Sequence, residues 1–223
     1  MHTSDSTQTW VRELRRNVLL YPDNAVVALL SRAYPDRELP AASEALDIGF
    51  GSGRHVRLLL EFGFSAHGIE LFEQAVVDAR RSLGEYPGLG RLDVADVSDH
   101  PFPSGTLECV VSWGAAFLRP MDAMLDDLRV VHDMMRPGGK LIVNFRTPDN
   151  WFAELGERVD STTIVADERA GPYAGATYTF LDLEAAAGLL HDAGFDVTET
   201  ERLDLLAGPD LRQNSWWLFT AAR

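Results

Sequence analysis

Residues 45–54 read Ala-Leu-Asp-Ile-Gly-Phe-Gly-Ser-Gly-Arg, a short apolar run followed at once by three closely spaced glycines. The apolar run predicts a buried β-strand, and the apolar spacing after the glycines predicts a helix that stops at Gly63. Glycine permits a sharp turn and lets a ligand approach the bare backbone. In open α/β sheets such a turn lies at the carboxyl edge of the strands, where ligands bind. The stretch therefore predicts an α/β fold with a ligand site at this turn.

The rest of the chain alternates short apolar runs with amphipathic stretches, a pattern that predicts βαβ units and a parallel sheet. The predicted strands cover residues 45–48, 66–70, 91–95, 107–112, 141–145, 195–203 and 215–221. No helix is predicted between the last two strands, so they are expected to pair antiparallel. The predicted fold class is α/β, with a seven-stranded, mostly parallel sheet, an antiparallel last strand and helices on both faces.

The composition argues against nucleic acid and membrane as partners. The formal net charge is −14 and Lys140 is the only lysine, whereas phosphate contacts need clustered basic side chains. A local basic patch around Arg12, Arg15 and Arg16 is left open. No apolar run approaches the roughly 20 residues of a membrane helix, and no signal peptide is recognised. The single cysteine, Cys109, cannot form an internal disulfide, so we expect a cytoplasmic protein.

The glycine turn does not match the common nucleotide-binding patterns. A dinucleotide fingerprint needs Gly-x-Gly-x-x-Gly, but the third position falls on Arg54 when counted from Gly49 and on Val56 when counted from Gly51. A phosphate-binding loop of the Gly-Lys-Ser/Thr type is absent from the sequence as well, since the only lysine is Lys140. A nicotinamide-dependent oxidoreductase is therefore disfavoured.

The turn resembles the first motif of the class I S-adenosylmethionine-dependent methyltransferases, in which an acidic residue at the strand end precedes Gly-x-Gly-x-Gly. Asp47, Gly49, Gly51 and Gly53 match that motif residue by residue. The resemblance implies a Rossmann-like class I methyltransferase fold, with S-adenosylmethionine as cofactor and S-adenosylhomocysteine as product. It also implies that these four residues hold the methionine part of the cofactor.

A second carboxylate is expected at the end of the next strand, because two vicinal ribose hydroxyls are donors that a bidentate acceptor can satisfy. Glu70 has that position, 19 residues after Gly51, and Leu71 is predicted to lie against the adenine. The alternative for Glu70 is an acidic residue that only stabilises the N-terminus of the following helix.

A third segment, Asp96-Val97-Ser98, resembles the family's adenine-contacting loop after the third strand. The resemblance implies that Asp96 accepts a hydrogen bond from the adenine amino group and that the Val97 amide faces a ring nitrogen. The alternative is an aspartate that stabilises its own loop. Ser112, at the end of the fourth predicted strand, is also predicted to bind the cofactor.

On this resemblance, residues 41–223 form a Rossmann-like methyltransferase domain with a flap inserted at about 148–180. The flap's two candidate strands cover residues 162–166 and 176–180. Residues 1–40 are predicted to form an N-terminal helical cover, with helices over residues 9–20 and 24–33.

The acceptor site is predicted above the carboxyl edge, where aromatic side chains would enclose an apolar or planar molecule. Tyr21, Trp113 and Arg146 are the predicted acceptor-binding residues, and the arginine could hold a carboxylate. No histidine pairs with an acidic residue at a recognisable catalytic spacing, so no catalytic residue is named and no metal site is predicted. No Asn-Pro-Pro-Tyr-type or Pro-Cys signature of base methylation is present.

These patterns together predict an enzyme that transfers a methyl group from S-adenosylmethionine to O, N or C of a small-molecule acceptor in biosynthesis. The first alternative is a peptide or protein methyltransferase, since an acidic rim would suit a basic substrate. The others are a nicotinamide-dependent oxidoreductase and a cofactor-binding protein without activity. A homodimer is left open.

Overall fold

The computed structural model of this chain describes residues 19–35 and 43–223. The predicted helix over residues 9–20 lies almost entirely outside the described residues, as do Arg12, Arg15 and Arg16. The N-terminal cover therefore stays a prediction, except that its second predicted helix is present with the same bounds, Asn24–Ala33.

The described part of the chain contains five α-helices and ten β-strands. The helices are α1 (Asn24–Ala33), α2 (Arg54–Phe62), α3 (Glu73–Leu83), α4 (Met121–Met134) and α5 (Leu183–Asp192). The strands are β1 (Glu44–Ile48), β2 (Ser65–Glu70), β3 (Leu89–Val94), β4 (Leu107–Ser112), β5 (Met135–Arg146), β6 (Gly156–Arg158), β7 (Thr163–Ala166), β8 (Thr177–Thr179), β9 (Asp196–Ala207) and β10 (Arg212–Ala222).

Seven strands form the main sheet in the order β3-β2-β1-β4-β5-β10-β9. The five strands from β3 to β5 are parallel, and β10 runs antiparallel to both of its neighbours. This confirms the predicted fold class. The chain leaves β1 in one direction to β2 and returns to its other side with β4, which opens a crevice at the carboxyl ends of these strands.

Helices cover both faces of the main sheet because its central strands are apolar on both faces. In β4, Val110 belongs to the core that holds α4 and α5, while Cys109 and Val111 belong to the core that holds α1, α2 and α3. Cys109 is a free, fully buried thiol.

A second, three-stranded antiparallel sheet in the order β6-β7-β8 follows β5. Two of its strands lie where the flap hairpin is predicted, whereas β6 is too short and polar for its sequence to show a strand pattern. Gly156 lets β6 approach β7, since a Cβ there would lie 2.2 Å from the Val165 carbonyl oxygen. The residues between β6, β7 and β8 form an aromatic-rich core of their own, which also holds Phe117 and Phe152.

The main sheet departs from prediction at the start of β5. A strand is predicted at residues 141–145, but β5 already begins at Met135. Met135 pairs with Leu107 of β4, and the Gly138 amide donates to the Arg223 carbonyl at 2.8 Å, so contacts with β4 and with the residue after β10 accompany the longer strand.

Candidate functional site

A cavity of about 1290 Å³ opens at the carboxyl edge of the main sheet, between the segments that follow β1, β2, β3 and β4 and the end of β5. Pockets for one small ligand usually enclose about 300–1000 Å³. This cavity therefore has room for two ligands side by side.

The glycine turn after β1 forms one wall of the cavity. Gly49, Gly51 and Gly53 all have a positive φ, of 68°, 55° and 80°, which L-residues with a Cβ rarely adopt. A Cβ at Gly49 would also lie 2.8 Å from the Ala115 Cβ. Gly49 and Gly51 line the cavity, whereas Gly53 begins α2 and packs against Leu83 of α3.

Glu70 stands at the end of β2, beside the glycine turn, and is 6% exposed. Its Oε2 accepts a hydrogen bond from the Gly51 amide at 3.0 Å, and its Oε1 accepts from the amides of Leu71 at 2.7 Å and Phe72 at 3.4 Å. Burial raises the pKa of Glu70, and the three amides oppose that shift. The carboxylate and Leu71 both line the cavity, so Glu70 has the position for a ribose contact and also stabilises the start of α3.

Asp47 lies beneath the glycine turn and is 1% exposed, so it does not line the cavity itself. Burial raises its pKa well above the usual range; Arg54 lowers it and Glu70 adds to the rise. Its Oδ2 has no hydrogen-bond partner among the described residues. A buried acceptor without a donor is rare in native proteins, and a cationic or N–H-bearing ligand near the turn would compensate for it.

The predicted adenine segment forms a second wall of the cavity. The Asp96 Oδ1 accepts from the Ser98 amide at 3.1 Å, and the Asp96 amide donates to Asp99 at 3.1 Å, which closes a capping box. The Asp96 Oδ2 pairs with Arg119, whose Nε lies 3.2 Å from the Asp127 carboxylate. Burial acts to raise the pKa of Asp96, but the hydrogen bond from Ser98 and the charge of Arg119 outweigh it.

The structure therefore gives Asp96 a role in stabilising its own loop, and its carboxylate is already engaged on both oxygens. Asp96 and Val97 line the cavity, so the adenine contact stays a prediction. Arg119 and Asp127 also line the cavity and were not predicted. Burial raises the pKa of Asp127 to about 6.

The end of β4 forms a third wall of the cavity. Ser112 and Trp113 both line it, and the following turn is fixed by a hydrogen bond of 2.8 Å from the Gly114 amide to the Asn144 Oδ1. Tyr21, by contrast, is 77% exposed and lies outside the lining. The structure brings Trp113, but not Tyr21, to the predicted acceptor region.

Arg146 ends β5 and lines the cavity while being only 6% exposed. Its Nη1 donates to the Asn150 Oδ1 at 2.6 Å. Five aromatic rings surround its guanidinium, those of Phe117, Phe152, Tyr173, Tyr178 and Trp216. Arg146 was predicted as an acceptor-binding residue, but the five rings around it were not predicted.

The sequence model of a family described as methyltransferase domain matches residues 45–139, which hold the glycine turn, Glu70 and the Asp96 segment. Residues 45–139 thus have the sequence pattern of a methyltransferase domain. A search of the curated proteins finds no match.

Solved structures of methyltransferases have the same fold as this chain at low sequence identity. An S-adenosylmethionine-dependent methyltransferase from Methanosarcina mazei is 16% identical over 92% of this chain and 99% of its own, with a TM-score of 0.72. One from Mesorhizobium loti is 20% identical over 86% and 98%, with a TM-score of 0.64. The 1,6-didemethyltoxoflavin-N1-methyltransferase from Burkholderia thailandensis, solved with 1,6-didemethyltoxoflavin and S-adenosylhomocysteine, is 18% identical over 100% and 88%, with a TM-score of 0.74.

The histidines among the described residues do not supply a recognisable general base. His55 lines the cavity, but its Nε2 accepts a hydrogen bond from the Asp23 amide at 3.2 Å, and burial lowers its pKa to about 3. His100 pairs with Asp133 at 2.8 Å, outside the cavity lining. The part of the chain that the structure describes contains no cluster of three metal-ligating side chains and no helix able to span a membrane.

Proposed function

We propose that this methyltransferase transfers the methyl group of S-adenosylmethionine to O, N or C of a small-molecule acceptor bound in the same cavity. The observation that carries the proposal is the cavity itself, whose volume suits two ligands and whose two halves differ in chemistry. One half presents bare glycine backbone and carboxylates, and the other presents aromatic rings and a guanidinium.

The cofactor half is proposed to bind through the glycine turn and two neighbouring carboxylates. Gly49 and Gly51 present backbone without side chains, and Glu70 offers acceptor oxygens to ribose hydroxyls. The buried Asp47, with its unpartnered Oδ2, favours the positively charged methionine end. The bound cofactor supplies a methyl group already activated by the sulfonium charge.

The acceptor half is proposed to orient the acceptor and exclude water from it. Trp113, Phe117 and Trp216 line this half and give flat apolar surfaces for a planar molecule. Alignment of a lone pair with an activated methyl group is itself a large contribution to rate. The small acceptor in the related Burkholderia structure supports a small-molecule substrate here.

We further propose that the enzyme works in the cytoplasm as part of small-molecule biosynthesis, to which its single, buried and unpaired cysteine is suited. The absence of clustered lysines, with Lys140 alone in the sequence, supports an acceptor other than nucleic acid.

Calorimetric titration of the purified protein with S-adenosylhomocysteine and with NAD tests the proposal. S-adenosylhomocysteine should bind, NAD should not, and Asp47→Ala and Glu70→Ala should each weaken binding about tenfold or more. Glu61→Ala is the matched control, since Glu61 is an exposed acid on α2 that pairs with Arg57 outside the cavity. Binding of NAD instead, or indifference to both site substitutions, would contradict the proposal.

The acceptor class is tested by methyl transfer from radiolabelled S-adenosylmethionine. A small-molecule extract, a protein extract and total tRNA are supplied separately as acceptors. Label that enters only the small-molecule fraction supports the proposal, and label in protein or tRNA overturns it.

A further inference from the structure

Arg146 differs from the other arginines that line the cavity, because no carboxylate lies beside it. Arg119 forms ion pairs with Asp96 and Asp127, and two aspartates act on Arg54 through their charge. Within the described part of the chain, Arg146 forms no ion pair. The groups that favour its charged form are the hydroxyls of Tyr173 and Tyr178. The acceptor half therefore contains a cation whose counter-charge the described chain does not supply.

The guanidinium of Arg146 is enclosed by neutral groups. Its central carbon lies 4.9–5.6 Å from the centroids of the five rings that surround it. Asn150 accepts from one of its five N–H donors and the Tyr173 hydroxyl lies within hydrogen-bonding reach of the guanidinium, while the buried Nε has no partner among the described residues. Aromatic faces attract the cation, but they do not replace a hydrogen-bond acceptor in the guanidinium plane.

A buried guanidinium among neutral groups is costly if Arg146 only holds the main sheet and the three-stranded sheet together. Removing a charge from water needs compensation by an opposite charge and by hydrogen bonds. Leucine or methionine would fill an aromatic cluster of this kind without that cost. A buried donor left without a partner calls for a specific explanation.

We propose that the acceptor carries a carboxylate group and that Arg146 binds it. This inference rests on the proposed function and specifies the substrate class. Phe117 and Trp216 both line the cavity and contact the guanidinium, so a planar acceptor lying against them has a substituent close to Arg146. The flat fork of a guanidinium matches the two oxygens of a carboxylate.

A carboxylate fits this site better than a phosphate does. A phosphate ester carries close to two negative charges near neutral pH, and proteins bind it with several cations or with amides at a helix N-terminus. Arg119 is already neutralised by its two aspartates, which leaves the single guanidinium of Arg146 for the acceptor. The positive charge of Arg146 also disfavours a cationic acceptor, such as a lysine-rich peptide.

Titration calorimetry with the protein saturated with S-adenosylhomocysteine tests the inference, with benzoate, benzamide and phenyl phosphate as probes. Benzoate should bind, its affinity should exceed that of both other probes, and Arg146→Met should reduce it about tenfold or more. Equal affinity for benzoate and benzamide, preference for phenyl phosphate, absence of benzoate binding, or unchanged binding in Arg146→Met overturns the inference.

Two further variants separate the inference from misfolding. Arg146→Lys keeps the charge but not the fork, so benzoate affinity should fall about tenfold while S-adenosylhomocysteine binding stays. Arg212→Met is the matched control, because Arg212 also stacks on an aromatic ring, 4.2 Å from the centroid of Trp151, but lies outside the cavity lining. Its benzoate affinity should not change.

S-adenosylhomocysteine binding distinguishes the two levels of the argument. If the wild-type protein fails to bind it, the proposed function fails and this inference fails with it. If the wild-type protein binds it but Arg146→Lys retains full benzoate affinity, only the carboxylate inference is overturned.

Discussion

Glu70 accepts a hydrogen bond of 3.0 Å from the backbone amide of Gly51, which ties the end of β2 to the glycine turn after β1. The same carboxylate receives the amides of Leu71 and Phe72 at the approach to α3. One buried side chain thus fixes two segments of the proposed cofactor wall before any ligand is bound.

Replacing Glu70 by glutamine should weaken the hydrogen bonds that connect the glycine turn with the start of α3. Glutamine keeps one acceptor oxygen and places an NH2 group where backbone amides already donate, so at least one amide loses its partner. We expect the free energy of unfolding to fall by about 1–3 kcal/mol. The affinity for S-adenosylhomocysteine should fall as well, and both are measured by denaturant unfolding and calorimetry.

Glu73→Gln is the matched control for Glu70→Gln. Glu73 opens α3 only three residues later, but its side chain lies outside the cavity lining. It should leave the affinity for S-adenosylhomocysteine unchanged. If both variants lose the same affinity for S-adenosylhomocysteine, binding depends on the negative charge of this region and not on the contact between Glu70 and Gly51.

Asp47→Asn should separate stability from binding. Burial raises the pKa of Asp47, so the folded state disfavours its ionised form, and stability falls as pH rises from about 3.8 through the raised pKa. Removing the charge should therefore make the free protein at least as stable as wild type at pH 7. The same change should weaken S-adenosylhomocysteine binding, because the methionine end loses its buried counter-charge.

Thermal unfolding of wild type and Asp47→Asn between pH 4 and pH 8 measures this difference. The advantage of the variant should shrink toward pH 4, because the carboxylate of the unfolded wild type, with its ordinary pKa of 3.8, is then increasingly protonated. A deficit of the variant that is the same at every pH would contradict the expectation.

Much of the main sheet could be predicted from the sequence, because apolar runs with clear ends determine it. The strand at 107–112 has its predicted bounds, since the turn at 101–105 delimits a fully buried run. The early start of β5 could not be predicted in this way. Pro137 and its two glycines are typical of a turn, and the partners of this segment, Leu107 of β4 and Arg223 after β10, are distant from it in sequence.

The candidate site was predicted where local position decides it. Glu70 ends β2 and Asp96 follows β3, and parallel strand ends meet at one edge of the sheet. The pairing of Arg119 with Asp96 spans 23 residues, and the rings around Arg146 come from several separate segments. Such contacts depend on tertiary packing, for which a single sequence carries no periodic signal.

Gly49→Ala should be far more damaging than alanine at another glycine with a positive φ. Both Gly49 and Gly138 have a left-handed φ, of 68° and 81°, so each substitution carries a backbone cost of about 1–2 kcal/mol. Only at Gly49 would the new Cβ meet a neighbour, the Ala115 Cβ at 2.8 Å. Urea unfolding of Gly49→Ala and Gly138→Ala measures how much more unfolding free energy the first variant loses. Equal losses would contradict a steric clash with Ala115.

The buried His55 should make the free protein sensitive to acid. Its folded pKa of about 3 lies below the usual 6.5, so its contribution to stability is complete above pH 6.5 and is lost as pH falls toward 3. At pH 5 this loss is on the order of 2 kcal/mol, since one pKa unit corresponds to about 1.4 kcal/mol.

His55→Gln can still accept from the Asp23 amide through its carbonyl oxygen, so its stability should depend less steeply on pH between 7 and 4. His191→Gln is the control for the loss of an imidazole, because His191 is exposed on α5. If His55→Gln instead follows the wild-type curve, His55 must become charged within the fold, and the hydrogen bond from Asp23 cannot persist in acid.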